Sequence, residues 1–87
     1  MTDAQHRPLP VQGYKPQSQG AVDQVNLNKA MEEELLRRMD AMAGWTSSEV
    51  DMRWLAIART HIEQGFMALN RSIFQPTRAK LPEDAAP

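Results

Sequence analysis

The chain has 87 residues, a net charge of −1 and no cysteine, so disulfides and thiolate metal sites are excluded. A chain of this length buries only part of its surface and often depends on oligomers, metals or disulfides for stability. No apolar run approaches the roughly 18 residues of a membrane span, and the N-terminus lacks the apolar core of a signal peptide. We therefore predict one small cytoplasmic domain.

The first predicted element is an extended segment at the N-terminus. Residues 1–17 contain three prolines and a glycine, a composition that excludes a helix and predicts an extended N-terminal arm. This arm carries the only tyrosine, Tyr14. A first helix is predicted to begin at Ser18, as its N-cap, and to end at Ala43, with Gly44 as the C-terminal cap.

A second helix is predicted from a capping box, in which Thr46 and Glu49 satisfy each other's backbone amides. It continues to about Phe74, before a Gln-Pro pair that ends it. The few residues between the helices allow only a tight reversal, so the fold class is all-α, an antiparallel helical hairpin over residues 18–74. Residues 75–87 are predicted to be a disordered C-terminal tail.

The second helix has two stripes of residues at helical spacing. The first stripe is Met52, Leu55, Arg59, Ile62, Phe66, Leu69 and Ile73, and the second is Ala58, His61, Gly65, Ala68 and Ser72. A helix that is apolar or small on two faces needs two packing partners, and one hairpin supplies only one. The pattern therefore predicts a homo-oligomer.

Cations interrupt the apolar seams of both helices, Lys29 in the first and Arg59 in the second. Lys29 could extend its ammonium to solvent or pair with Glu32 or Glu33 at helical spacing. Arg59 could pair with Glu63. Either cation could instead contact an anionic ligand. Tyr14 likewise either docks the arm or stacks on a base. The residues alone leave these alternatives open.

Catalysis finds little support in the sequence. A nucleophile needs a base and an orienting group, and the single helical histidine, His61, has no serine partner in register. Two histidines without cysteine cannot form a metal site alone. We therefore predict a protein that is not an enzyme and has no cofactor and no metal.

The segment from Trp54 to Arg71 fits the pattern W-L-A-I-x-R-T-x-x-x-x-G-F-M-x-L-x-R at every fixed position. Upstream lie a Gly-Tyr pair ending at Tyr14, a serine-started helix, and N-x-x-K from Asn26 to Lys29. These motifs resemble the hairpin domain of phage proteins that sequester cyclic-nucleotide signals, the anti-CBASS sponges and their relatives, the anti-Thoeris sponges. The resemblance covers about residues 13 to 75.

The resemblance implies a compact hexamer of interlocked hairpins that binds cyclic dinucleotides in pockets between protomers without cleaving them. Some members also bind cyclic trinucleotides in separate pockets. The family's dinucleotide contacts map onto Tyr14 and Lys29, and Asn26 joins them from the same N-x-x-K motif. Arg59 and Arg71 are the candidates for trinucleotide contacts. No membrane and no duplex nucleic acid are expected as partners.

The predicted function is therefore non-catalytic sequestration of cyclic dinucleotides, with cyclic trinucleotides and cyclic ADP-ribose isomers as further candidate ligands. It would block anti-phage immune signalling in the cytoplasm of the infected bacterial host. Two alternatives remain open from the sequence. The basic second helix could belong to a nucleic-acid-binding or adaptor hairpin, or the chain could be a structural coiled-coil module without a ligand.

Overall fold

The computed structural model describes residues 11–85. Two long helices, α1 (Gln19–Ala43) and α2 (Met52–Phe74), pack against each other, and a short 3₁₀ helix (Pro82–Ala85) follows. No strand occurs within residues 11–85. No helix in this part of the chain is long and apolar enough to cross a bilayer.

Two side-chain contacts between α1 and α2 define their relative direction. Asn28 hydrogen-bonds to Asn70, and Asp40 forms an ion pair with Arg59. A later residue on α1 thus contacts an earlier residue on α2, as antiparallel helices require. The predicted all-α helical hairpin is confirmed.

Both ends of α1 follow the predicted caps. The Ser18 hydroxyl accepts a hydrogen bond from the Ala21 amide at 3.1 Å, which satisfies one of the free amides of the first turn. At the other end, the Gly44 amide donates to the Ala41 carbonyl at 3.1 Å. The predicted N-cap at Ser18 and the predicted end at Ala43, with Gly44 as the C-terminal cap, are confirmed.

The predicted start of α2 is wrong by several residues. The Thr46 hydroxyl bonds to the Glu49 carboxylate at 2.8 Å and the Glu49 amide bonds to the Thr46 carbonyl at 3.0 Å, so this segment forms an isolated turn. The N-cap of α2 is instead Asp51, whose carboxylate accepts from the amides of Arg53 (2.9 Å) and Trp54 (3.1 Å). A carboxylate that accepts two amides is the stronger cap because ionised acceptors make stronger hydrogen bonds.

The C-terminal end of α2 agrees with the sequence. Gln75 adopts a left-handed conformation with φ of 48°, and its amide donates to the Arg71 carbonyl at 2.8 Å. Pro76 then follows, and a proline supplies no amide that could continue the helix. The predicted end near Phe74 is confirmed.

The hairpin buries very little of its apolar surface. Within residues 11–85 only Val25 and Met39 are buried hydrophobic residues. The residues of the second α2 stripe after Ala58 are all exposed. Large exposed hydrophobic residues include Leu27, Met31, Leu35, Trp54, Met67 and Leu69. One chain therefore leaves both helices without cover over much of their length.

The arm is held against the segment that follows α2. The Thr77 amide donates to the Gly13 carbonyl, and the Lys80 amide donates to the Gln12 side-chain oxygen at 3.1 Å. We call residues 76–81 the C-terminal strap. The division of the chain into an arm (1–17), a hairpin domain (18–74) and a C-terminal tail (75–87) stays a prediction. Within the segment predicted as a disordered tail, however, the strap hydrogen-bonds to the arm, and Pro82–Ala85 forms the 3₁₀ helix. Residues 1–10 and 86–87 lie outside the described part.

Candidate functional site

Two adjoining clefts lie along the side of the hairpin, toward the end that carries the arm. The first cleft has a volume of about 470 Å³ and is formed mainly by the last three turns of α2, the arm and the start of the strap. Its lining consists of Tyr14, Gln64, Met67, Ala68, Asn70, Arg71, Phe74 and Pro76. The walls are largely apolar, with two amides and one guanidinium among them.

The second cleft is smaller, about 310 Å³, and lies between α1 and α2. It is lined by Lys29, Glu32, Glu63, Gln64, Met67 and Asn70. Since Gln64, Met67 and Asn70 belong to both linings, the two clefts share one wall. A ligand larger than either cleft could therefore extend over that wall into both.

The position of Tyr14 depends on the backbone of its neighbour Gly13. Gly13 has φ of +87°, a conformation that residues with a Cβ rarely adopt. A Cβ at this position would also lie 2.1 Å from the Thr77 carbonyl oxygen. Glycine is therefore required for the arm to approach the strap this closely, and Tyr14 follows directly with 62% of its surface exposed at the cleft.

A hydrogen bond across the hairpin fixes the shared wall. The side-chain amide of Asn28 donates to the Asn70 oxygen at 3.1 Å, and both residues are half-buried. The Asn70 amide nitrogen keeps two N–H donors that a ligand oxygen or ring nitrogen can accept. Asn28 therefore orients a polar group that faces both clefts.

The charges of the two clefts differ. Arg71 lines the first cleft, whose lining contains no carboxylate. Lys29 lines the second cleft together with Glu32 and Glu63. Neither Lys29 nor Arg71 forms an ion pair with the carboxylates of residues 11–85. A phosphate group is thus favoured in the first cleft, whereas in the second it would be attracted by one cation and repelled by two anions.

The chain is similar to a known family over most of its length. The family model of the Acb2/Tad1 hairpin domain matches residues 8–74. The chain belongs to the Acb2/Tad1 hairpin-domain family. It is also similar to Anti-CBASS protein 2 of Pseudomonas phage JBD67, with 31% identity over 106 aligned positions that cover 85% of this chain and 96% of the relative. No solved structure matches the chain significantly. The resemblance to the phage cyclic-nucleotide sponges is confirmed at the level of the family.

In this member of the Acb2/Tad1 family, three of the five residues predicted to contact ligand line the two clefts and two do not. Tyr14 and Arg71 come together in the first cleft, and Lys29 lies in the adjoining second cleft. Asn26 is exposed on α1 and lines neither cleft. Arg59 also lines neither cleft.

The side chain of Arg59 is engaged within the hairpin. Its guanidinium forms an ion pair with Asp40 on α1, not with Glu63 on its own helix, so the expected pairing at helical spacing is wrong. The antiparallel packing places Asp40 opposite Arg59, although 19 residues separate them in the chain. Lys29 likewise makes no ion pair with the glutamates at helical spacing from it.

The sequence prediction did not include three residues of the shared wall, Gln64, Met67 and Asn70. They follow one another at intervals of three on α2, so they lie on one helical face beside Arg71. The signal in the sequence is the position of two amide side chains, Gln64 and Asn70, on the helical face beside the candidate residue Arg71.

A metal centre has no ligand set in the described part of the hairpin. Residues 11–85 contain no group of three or more histidine, cysteine, aspartate or glutamate side chains placed to hold one ion. The linings of the two clefts offer an aromatic ring, side-chain amides and positive charge.

Proposed function

We propose that this protein captures cyclic oligonucleotide signals and holds them without cleavage, and that it thereby counteracts CBASS immune signalling in the host of a phage. The observation that carries the proposal is the lining of the first cleft. An exposed tyrosine ring, an arginine without a carboxylate nearby and two side-chain amides meet in one partly apolar space. Membership of the Acb2/Tad1 family and the name of the phage relative support the same conclusion.

The first cleft contains a side chain suited to bind each part of a nucleotide. Stacking of a base on an aromatic ring contributes about 1–3 kcal/mol, and Tyr14 offers such a ring. Arg71 supplies a planar guanidinium, which binds phosphate oxygens in pairs. The amides of Gln64 and Asn70 offer both donors and acceptors for a base edge.

Lys29 extends this site through the shared wall. A ligand that rests on Gln64, Met67 and Asn70 would contact Tyr14 on one side and the Lys29 ammonium on the other. A cyclic dinucleotide has two bases and two phosphates on one ring, so it is suited to two adjoining clefts. The family resemblance implies pockets between protomers, so within an oligomer the same ligand could also contact a second chain.

We further propose that the working form is a homo-oligomer, a hexamer by the family resemblance. Its support is the surface that one chain leaves uncovered, since the buried hydrophobic residues among those described number only two. Many large hydrophobic residues are exposed on both helices, and extensive exposed apolar surface often marks a protein–protein contact. A second chain would cover it and would add walls to the open clefts.

Sequestration works by mass action and requires no turnover. If the protein is more abundant than the signal and the dissociation constant is low, the free signal falls below the concentration that activates its effector. Affinity and copy number thus determine the effect, and the second messenger should be recovered intact.

The test is a panel of cyclic dinucleotides, cyclic trinucleotides and cyclic ADP-ribose isomers, measured by thermal shift and by calorimetric titration. A ligand that binds the native state raises the melting temperature. Linear dinucleotides of the same base composition are the matched control. We expect binding of at least one cyclic dinucleotide, weaker binding of its linear form, and recovery of unchanged ligand by chromatography.

Three results would contradict the proposed function. Failure of every compound in the panel to bind at millimolar concentration would contradict ligand capture. Formation of a linear product in proportion to the protein added would replace sequestration with hydrolysis. Equal binding of short duplex DNA, with a steep dependence on salt, would favour the nucleic-acid-binding alternative.

A further inference from the structure

The residues after the hairpin domain contact the arm at the mouth of the first cleft. We propose that the C-terminal strap, residues 76–81, is a positioning element that holds Tyr14 in place for the ligand and so sets the affinity of the site. The strap lies beyond residues 8–74, the part matched by the family model. This inference rests on the proposed function, because it concerns the same cleft.

The strap holds the arm through its backbone. The Thr77 amide donates to the Gly13 carbonyl, and the Thr77 hydroxyl approaches the same oxygen at 3.3 Å. Three residues later, the Lys80 amide donates to the Gln12 side chain. These bonds lie on the two residues immediately before Tyr14, so they restrain the backbone that carries the ring.

The arm is also fastened on the other side of Tyr14. The Gln17 side chain donates to the Phe74 carbonyl at 3.0 Å, at the last residue of α2. Phe74 and Pro76 line the cleft that Tyr14 borders. The ring therefore lies between two anchor points, one at the strap and one at the end of the helix.

The strap itself has a defined end. The Leu81 amide donates to the Asp84 carboxylate at 2.8 Å, and the Asp84 amide donates to the Leu81 carbonyl at 2.9 Å. These reciprocal bonds close the 3₁₀ turn at Pro82–Ala85. The turn limits the conformations open to the segment that meets the arm.

Holding the arm before the ligand arrives should raise affinity. An unrestrained arm would lose conformational entropy on binding, because each backbone residue that becomes fixed opposes association. With the strap in place, part of this ordering is already present in the free protein. Loss of the strap contact should therefore weaken binding up to the loss caused by removing the Tyr14 ring.

The test uses two substitutions in the full chain that break the contact from opposite sides. Gly13→Ala introduces a Cβ that cannot coexist with the Thr77 carbonyl at its present position. Thr77→Pro removes the amide that donates to Gly13. The matched control is Gly20→Ala, which adds the same methyl group on α1, where the nearest atom is 3.9 Å away.

Each variant is titrated with cyclic di-AMP and cyclic di-GMP, with and without Tyr14→Ala. We expect Gly13→Ala and Thr77→Pro to weaken binding by roughly 5- to 140-fold, the range that corresponds to loss of one base stack. Gly20→Ala should bind as the parent does. In the Tyr14→Ala background, neither substitution should weaken binding further, because a positioning element acts through the residue it positions.

A second readout needs no ligand. Chymotrypsin cleavage after Tyr14, followed by mass spectrometry, should be faster in Gly13→Ala and Thr77→Pro than in the parent and in Gly20→Ala. If the parent binds and the two variants bind equally well, or if their losses add to that of Tyr14→Ala, the inference is overturned. If the parent binds neither cyclic di-AMP nor cyclic di-GMP, the proposed function is wrong for these two ligands. Independently of binding, an unchanged cleavage rate in Gly13→Ala and Thr77→Pro would contradict the proposal that the strap positions Tyr14.

Discussion

Basic side chains make different contacts at the two ends of the hairpin. Near the α1–α2 turn, the guanidinium groups are engaged within the chain. Arg59 pairs with Asp40, Arg38 lies 5.1 Å from the centre of the Trp45 ring and Arg53 lies 5.5 Å from that of Trp54. At the cleft end, Lys29 and Arg71 line the clefts and form no ion pair with carboxylates of residues 11–85.

This difference indicates where an anionic ligand would bind. A cation that already has a carboxylate or an aromatic face as its partner gains less from a phosphate. A cation at a cleft without such a partner stays available to a phosphate, although Glu32 and Glu63 weaken this attraction in the cleft of Lys29. The fold, through its pairing of α1 with α2, thus separates structural cations from candidate binding cations that look alike in the sequence.

The largest effect is expected from a substitution on the exposed α2 face. A Cβ added to Gly65 would meet no atom within 4 Å beyond the neighbouring turns of its own helix, so a leucine fits the isolated hairpin. If another chain packs there, Gly65→Leu should overpack the contact and dissociate the oligomer. Light scattering should then give the 9.9 kDa monomer, with the parent at a multiple of that mass.

Ser47→Leu places the same bulk at the exposed turn end and serves as the control for this prediction. It should leave the assembly intact. If the parent is a monomer at micromolar concentration, the proposal of a homo-oligomer is wrong. If Gly65→Leu assembles to the mass of the parent, this face of α2 is not an interface.

A smaller effect should locate the start of α2 at the turn end. Asp51→Ala removes a carboxylate that accepts two helix amides, so it should lower the free energy of unfolding by about 1 kcal/mol. Thr46→Ala removes a hydroxyl that bonds to a side chain outside the helix, so its effect should be smaller. Chemical denaturation of both variants measures the difference, and a larger loss for Thr46→Ala would mean that the capping box is the true helix start.

The smallest effect is expected when a negative charge is removed from the second cleft. Glu63→Gln should tighten binding of a cyclic dinucleotide by up to about 1 kcal/mol, because it removes repulsion between a carboxylate and a phosphate. Glu34→Gln removes the same charge from an exposed position on α1 that lines neither cleft, and should leave the affinity nearly unchanged. Equal changes in the two variants would indicate only a general charge effect.

Features that depend on neighbouring residues were predictable from the sequence. The caps at Ser18 and Gly44 and the end of α2 at Gln75 rest on contacts within four residues. The start of α2 was missed because two capping signals, Thr46 and Asp51, lie five residues apart. Choosing between them requires knowing that the Thr46 hydroxyl is already bonded to the Glu49 side chain.

Features that depend on distant residues were not predictable in the same way. The arm and the strap meet through Gly13 and Thr77, which are 64 residues apart. Asn28 and Asn70, 42 residues apart, meet only because of the register of the two helices. The family motifs nevertheless identified Tyr14, Lys29 and Arg71 as candidates, whereas the wall between their clefts emerges only once the hairpin is formed.

The most direct test of the central claim is a charge-matched pair of substitutions at the two seam cations. Lys29→Gln and Arg59→Gln each remove one positive charge, but only Lys29 lines a cleft. Both are titrated with a cyclic dinucleotide that binds the parent, alongside Tyr14→Ala and with the oligomer mass measured for each. We expect Lys29→Gln and Tyr14→Ala to lose affinity while keeping the assembly of the parent, and Arg59→Gln to bind normally. Normal binding by Lys29→Gln and Tyr14→Ala, or an equal loss in Arg59→Gln, would contradict the assignment of the ligand to the cleft end.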